Sequence, residues 1–268
     1  VRIAVVGAGG VAGRAFVAAA GAAGHALVTQ RVDLFDTDAL ARTIAGCDAL
    51  VNLATAVPRP GGANDWSRND RIRREGTLSV IAACGRAGVG VLAQQSVAML
   101  HADADDRPQR EGDRLVGYGV LQSAFDMEQL VRQAPIDVRV VRGGLFYGPG
   151  TGRENGWADE AAANGYCMPG DGQAWMSPLH VDDFARAVLT VLENGPSRAI
   201  CIACDDTPLR WCELYAAAAA RAGAQVRAGG PLRLRSFRVS NATLRALGWR
   251  PAHAALGCGV AQGSASAG

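Results

Sequence analysis

Near the start of the chain, Gly7-Ala8-Gly9-Gly10-Val11-Ala12-Gly13 follows a short apolar run, Ile3 to Val6, and leads into a helix-compatible stretch. Few local patterns restrict a fold as much. A glycine at the turn permits positive φ, a second lets a phosphate approach the backbone, and a third allows helix and strand to pack tightly. The helix that opens there presents free N–H groups and a partial positive charge, which suits a pyrophosphate. The string satisfies both G-x-G-x-x-A (7, 9, 12) and G-x-x-G-x-x-G (7, 10, 13). Glycine is abundant in this chain, so a merely structural turn is the competing reading. The strand–turn–helix setting favours a dinucleotide loop, with Gly7, Gly10, Val11 and Gly13 as cofactor-contacting positions.

After this loop the chain alternates strands and helices. Ala26 to Thr29 reads as a strand, and Thr37 to Ala45 as a helix capped by Asp36. Ala49 to Leu53 is a strand, Trp66 to Ala87 a long helix ended by Gly88, and Val89 to Gln94 a strand. Tyr118 to Gln133 reads as a helix stopped before Pro135, and Val138 to Val141 as a strand. This order predicts an α/β fold with a doubly wound, parallel, Rossmann-like sheet. Between Thr29 and Asp33 there is no room for a crossover helix, so the third strand is expected to be short or missing.

After residue 150 the pattern loosens into Gly-rich loops. A helix (Asp182 to Leu192), a strand (Ala199 to Ala203), a helix (Leu209 to Ala222) and a short helix from Asn241 complete it. The expected division is a dinucleotide domain over 1–150 with 178–204 returning to the sheet. Residues 151–177 and 205–255 then form a small C-terminal lobe over the substrate, and 256–268 a frayed tail.

Composition narrows the chemistry. All 27 basic residues are Arg, and the absence of Lys excludes Schiff-base, Walker-type and catalytic-lysine mechanisms. A net charge of +2 gives no footprint of nucleic-acid binding. Arg14 and the glycines break the N-terminal apolar run that a secretory signal needs, and no run is long enough to span a membrane. Seven scattered cysteines fit a reduced, cytoplasmic protein. Cys201 and Cys204 form a C-x-x-C pair, but in a buried strand they point to opposite faces. No metal-ligand spacing is present.

These motifs together resemble the extended short-chain dehydrogenase/reductases, the NAD-dependent epimerase/dehydratase family, over roughly residues 1–255. Beyond the glycine loop, Asp33-Leu34 resembles the pair that holds the adenine, and Asn52-Leu53-Ala54-Thr55-Ala56 the turn against the adenosine half. Arg74-Glu75-Gly76-Thr77 resembles the helix segment facing the active site, and Gln94-Gln95-Ser96 the strand end bearing a catalytic Ser. Arg142 to Gly150 is similar to the loop around the nicotinamide; His180-Val181-Asp182-Asp183 and Asn241 to Pro251 resemble two further signatures. The resemblance implies Leu53, Ala54, Thr55, Gln95, Gly143, Gly144 and Leu145 as cofactor-binding positions. It also implies a catalytic set of Ser96, Tyr118 and Gln122. The last departs from the family, whose Tyr-x-x-x-Lys stands here as Tyr118-Gly119-Val120-Leu121-Gln122. Pairing of two copies through the 66–87 and 118–133 helices is a further implication.

Several residues admit two readings. Arg31 follows the second strand where an acidic residue would grip the ribose; it suits a 2′-phosphate, favouring NADP, or is a solvated Arg. Ser96 is a donor to a substrate carbonyl or a loop cap. Tyr118 is the proton donor or an amphipathic residue at a helix start. Gln122 brings no charge but can hydrogen-bond a ribose hydroxyl. His180 reads as a satisfied structural histidine, and His101 is open. A Ser–His–Asp hydrolase from Ser96, His180 and Asp182 lacks the G-x-S-x-G elbow. Arg68, Arg71, Arg73 and Arg74 read as an ion-paired, solvated face more than as a phosphate site. Trp157, Tyr166, Met168, Trp175 and Met176 either line an apolar pocket or form the core of the lobe. The expected activity is NAD(P)-dependent reduction of a carbonyl or activated double bond in a small substrate without high charge. Sugar-nucleotide epimerisation or dehydration with recycled NAD, and cofactor binding without catalysis, are the rivals.

Overall fold

The first strand, β1 (Arg2–Val6), lies inside the main sheet, and its alternation already sorts the core. Ile3 and Val5 point into one apolar cluster while Ala4 points into another on the opposite face. The computed structural model describes residues 1–58, 64–103, 106–154, 156–232 and 234–255. After α1 (Val11–Ala22), β2 (Ala26–Val28) pairs in parallel with one edge of β1. Residues 29–36 then lead into α2 (Thr37–Ile44), and β3 (Ala49–Asn52) pairs with the other edge of β1. Asp36 caps α2, its side chain accepting from Ala39 N at 2.9 Å.

A long helical run comes next: α3 (Ser67–Arg71), one π turn (Ile72–Gly76) and α4 (Thr77–Ala87), closed by Gly88 at φ +72°. Then come β4 (Val91–Val97), α5 (Gln122–Arg132) and β5 (Asp137–Gly143). Beyond β6 (Leu145–Tyr147) lie α6 (Ala158–Ala163), β7 (Cys167–Pro169), β8 (Trp175–Met176), β9 (Pro178–His180) and α7 (Val181–Asn194). The described chain ends with β10 (Ile200–Ala203), β11 (Leu209–Arg210), α8 (Trp211–Ala222), β12 (Arg227–Gly230) and α9 (Ala242–Ala246).

The main sheet has the order β2-β1-β3-β4-β5-β10, every pair parallel. It ends at β2, and no strand lies outboard of it among the described residues, so the third strand is missing as the short link foretold. α1 and α7 cover one face, with Phe16, Phe184 and Val188 in the core; Leu40, Val80 and Val131 of α2, α4 and α5 cover the other. The chain reverses its direction of winding at β1, so a crevice opens above the carboxyl ends of β1 and β3.

The remaining segments share a third apolar cluster containing Tyr147, Trp157, Met176, Trp211, Tyr215 and Phe237. Trp157 and Met176 are therefore core. Trp175 carries the guanidinium of Arg210 and that of Arg238 over its ring, each 4.3 Å from the centroid.

Three boundaries differ from expectation for local reasons. Leu209–Arg210 pairs antiparallel with β8, and the helix starts only at Trp211, where Arg210 N donates to Glu213 Oε2 at 2.7 Å. Tyr118 is extended, and a 3-10 turn over Gly119–Leu121, with Gly119 at φ +47°, precedes α5. β4 runs on to Val97, so Ser96 lies within a strand rather than past its end. The expected tail, 256–268 with Cys258, lies outside the described residues.

Candidate active site

The glycines of the first loop divide into two kinds. Gly7 has φ +82°, and a Cβ there would lie 2.6 Å from Ala54 N. A Cβ on Gly13 would come 2.0 Å from the carbonyl oxygen of Gly7, so α1 can sit this close to β1 only through glycine. These two serve packing. Gly9 and Gly10 do not: a Cβ on Gly9 would meet nothing within 4 Å, and one on Gly10 only the Gly7 oxygen at 3.2 Å. Both are exposed at the start of α1, where Gly10 offers no side-chain cap to the first N–H groups. Open glycines over uncapped donors form a cradle that a phosphate fits. Arg14 adds a cation beside it, donating through Nη1 to Gly9 O at 2.7 Å, which the motif alone did not reveal.

On the β2 side, Arg31 is exposed after the strand. Asp33 closes a turn by accepting from Phe35 N at 3.0 Å, and Leu34 is buried against Gly76. Leu53 is core, whereas Ala54 is half-buried and Thr55 exposed at the crevice. Gly143, Gly144 and Leu145 are buried: a Cβ on Gly144 would stand 2.4 Å from Ser177 O, and one on Gly143 2.7 Å from the Phe146 ring.

From Thr55 a narrow crevice runs between β3, β4 and the π turn, bordered by Ala54, Thr55, Arg73, Thr77, Gln95 and Ser96. The structure thus brings Ala54, Thr55, Gln95 and Ser96 together. Inside, Thr77 Oγ1 and Gln95 Oε1 are buried without a hydrogen-bond partner.

Ser96 changes role. It is 1% exposed, and its hydroxyl donates to Glu128 Oε1 at 2.6 Å instead of into the crevice. Glu128 also accepts from Arg142 Nε at 2.9 Å and Nη2 at 2.6 Å. Burial alone would raise the Glu128 carboxyl, but the bonds and charge of Arg142, the Ser96 hydroxyl and Arg132 together hold it below its ordinary value. His101 contacts Arg142 Nη1 through Nε2 at 3.1 Å, and burial followed by the Arg142 charge pushes its value down to about 4. The sole proton of Ser96 goes to a glutamate and not to a histidine, which removes the hydrolase arrangement.

Tyr118 and Gln122 do not border the crevice. The Tyr118 ring packs beside Leu121 and Ala124 with the Arg235 guanidinium 5.2 Å from its centroid, and its hydroxyl is buried. Burial raises the phenol, with Arg235 opposing. Gln122 donates to Asp126 Oδ1 at 2.8 Å, and Asp126 Oδ2 accepts from Arg74 Nε at 2.8 Å. His180 caps α7, accepting from Asp182 N at 3.2 Å, and stacks on His253 at 3.7 Å. His180, Asp182 and His253 could together face a metal ion. Yet Nδ1 of His180 already serves the cap, and Nδ1 of His253 lies 3.2 Å from Asp183 Oδ2.

The basic cluster of the long helix resolves unevenly. Arg71 pairs with Glu75, and Arg74 with Asp126, as a solvated face would. Arg73 is 7% exposed and turns to the crevice, which the sequence reading missed.

The sequence profile described as the NAD dependent epimerase/dehydratase family matches residues 3–203. Among curated proteins, the chain is similar to the 3-diazoavenalumate denitrifying reductase of a Streptomyces species, 29% identical over 245 residues, covering 80% of each. Among solved structures it resembles DesIV, the dTDP-glucose 4,6-dehydratase of Streptomyces venezuelae with NAD bound (TM-score 0.79, 21% identity, 95% of this chain and 93% of that one). It also resembles RMD of Pseudomonas aeruginosa complexed with NADPH (TM-score 0.77, 24% identity, 95% of each chain).

Proposed function

We propose, from the premise that the chain belongs to the NAD-dependent epimerase/dehydratase family and is an NAD(P)-dependent oxidoreductase of the extended short-chain type, that it reduces a carbonyl or activated double bond in a small molecule. The observation that carries the reading is the cradle at Gly9 and Gly10, whose openness has no packing reason, at the mouth of the crevice where the sheet reverses its winding. A dinucleotide seated there lays its pyrophosphate on the first turn of α1, held by the Gly10, Val11 and neighbouring N–H groups. Ala54 and Thr55 then border its path toward Gln95. The reduced nicotinamide, when bound, supplies the hydride.

The chain's own residues supply the rest. Tyr118 remains protonated at neutral pH, and its hydroxyl is buried away from the narrow crevice, so its role as the proton donor of this scheme requires the 3-10 turn before α5 to shift when substrate binds. Gln122 steadies the start of α5 through Asp126, and Ser96 acts by tying the end of β4 to Glu128. A phenol raised by burial, with no Lys in the chain, is a poor base. That favours reduction over epimerisation or dehydration, which begin by oxidising a hydroxyl. The relative named as a reductase supports the same direction.

Arg31 selects NADP in this reading. Residues 151–177 and 205–255 form the lobe over the substrate. Two copies pair through the 66–87 and 118–133 helices, where Leu78 (52%) and Val120 (36%) are exposed. The test is fluorescence titration with NADPH and NADH. Gly10→Leu should abolish binding of both while the protein stays folded. Arg31→Ala should weaken NADPH by about tenfold and leave NADH unchanged. A folded Gly10→Leu protein that binds NADPH normally refutes the site.

A further inference from the structure

Arg73 is a buried cation that the scheme above leaves unused. It lies one turn from Asn69 and one from Thr77 on the same helix face, and all three are buried, so this buried face is polar. It sits in the π turn Ile72–Gly76, a local break of the kind found at functional sites.

Its hydrogen bonds go to neutral acceptors, Val120 O and Ser123 Oγ, both at 3.3 Å through Nη1. Among the described residues no carboxylate lies within ion-pair distance. Asp70, the nearest acidic neighbour in its field, faces Arg74 at 4.0 Å, and Asp126 is bound by Arg74 and Gln122. Burial lowers the guanidinium to about 10, so it stays charged at neutral pH. A buried charge is costly unless a counter-charge meets it.

The crevice at Arg73 narrows to a cavity of about 10 Å³, room for one oxygen-sized atom. Thr77 Oγ1 can donate into it. Gln95 Oε1 makes no hydrogen bond that a half-turn of the amide would break, so the amide can present its nitrogen there.

We propose that Arg73 recognises the substrate, receiving a carboxylate oxygen of a small monoanionic molecule in the narrow end of the crevice with Thr77 and Gln95 beside it. This deepens the reductase reading and rests on its placement of the active site. It also refines the expected substrate from one without high charge to one with a single negative charge.

The test uses benzoate and its neutral analogue benzamide, titrated into the NADPH-loaded protein by ligand-observed NMR. Wild type should bind benzoate at least tenfold more tightly than benzamide, with no change between pH 6 and 9. Arg73→Met should erase the preference, and Arg73→Lys should keep part of it. NADPH titration of each variant separates this proposal from the cofactor site. Retained NADPH binding with a lost benzoate preference supports the proposal. Equal binding of the two probes by wild type overturns it and leaves the cofactor reading standing. An Arg73→Met protein that melts normally but loses NADPH assigns the cation to the cofactor, which also overturns it. Wild type that fails to bind NADPH instead removes the reading on which the proposal rests.

Discussion

Replacing Glu128 by Gln keeps the side-chain shape and removes the charge from a carboxylate that is 0% exposed. Three donors converge on it, Arg142 Nε and Nη2 and Ser96 Oγ, at 2.9, 2.6 and 2.6 Å. Arg142 is itself 0% exposed, so in the variant its guanidinium would be stranded in the interior facing an amide N–H₂. Its other contacts, His101 Nε2 and Glu111 O at 3.0 Å, carry no charge to replace the carboxylate, since His101 is neutral above about pH 4. Breaking a buried pair by removing one partner costs about 3–5 kcal/mol. At about 2–4 °C per kcal/mol for a chain of this size, Tm at pH 7 should fall by roughly 6–20 °C. Glu128→Leu combined with Arg142→Met should recover most of that loss, because both charges then leave together. The pH dependence has a definite sign. Glu128 is held below its ordinary 4.5, so its contribution is present above that value and fades as pH falls through the lower folded-state value. Wild type should therefore lose Tm more steeply than Glu128→Gln below pH 4.5. Thermal denaturation followed by circular dichroism reads all three. A single-variant loss under 1 kcal/mol, or a double variant as unstable as the single, would refute the idea that this pair holds β4, α5 and β5 together.

Gly13→Ala should destabilise the fold itself, since its Cβ would meet the Gly7 oxygen at 2.0 Å, whereas Gly9→Ala should leave the melt unchanged and weaken NADPH; equal Tm values for the two would contradict the division. Asp205 accepts from Tyr147 Oη at 3.0 Å and burial pushes it up to about 7, so the folded state holds its proton between the unfolded value near 3.8 and pH 7. Stability should decline across that window, and Asp205→Asn should gain Tm over wild type more at pH 8 than at pH 5; a gain independent of pH counts against it. For Tyr118, raised by burial, the rate of the oxidative direction should keep rising into the alkaline range, and Tyr118→Phe should remove most reduction. An oxidative limb that levels near neutrality, or a Phe variant with full activity, would take Tyr118 out of the mechanism.

The parts of the fold that could be read in the sequence are those decided by neighbours in the chain. The strand–turn–helix form of the glycine loop, the Asp36 cap and the Gly88 stop are local, and each has the expected geometry. The missing strand was legible for a related reason: residues 29–36 are too few to cross the sheet and return. Boundaries failed where a distant partner intervened. Leu209–Arg210 has helical neighbours but finds β8 across the lobe. The sequence reads as a strand only to Gln94, yet pairing with β5 carries β4 through Gln95, Ser96 and Val97.

For the site, the same limit decides which charges matter. Arg68, Arg71, Arg73 and Arg74 are indistinguishable as a run of charge, and for Arg71 and Arg74 the solvated, paired face is what the structure has. The signal that singles out Arg73 was present but faint: counting turns from Asn69 through Arg73 to Thr77 puts it on one face, next to the apolar Val80. A cation on the buried side of an amphipathic helix needs an anion from somewhere. For Arg142 that anion is Glu128, and it was illegible because the two meet only through the register of β4 and β5 and the packing of α5. For Arg73 no described carboxylate lies within ion-pair distance, and Asp70 acts on it only from further away. Of the two buried guanidiniums, one is internally neutralised and the other borders the crevice. A chain without lysine has thus kept a fixed positive charge beside the place where a ligand oxygen would arrive. Arginine cannot lose its proton at working pH, so this charge can hold and orient an anion but cannot trade protons with it. In the proposed scheme, recognition of charge and transfer of the proton then fall to different residues, Arg73 for the first and Tyr118 for the second.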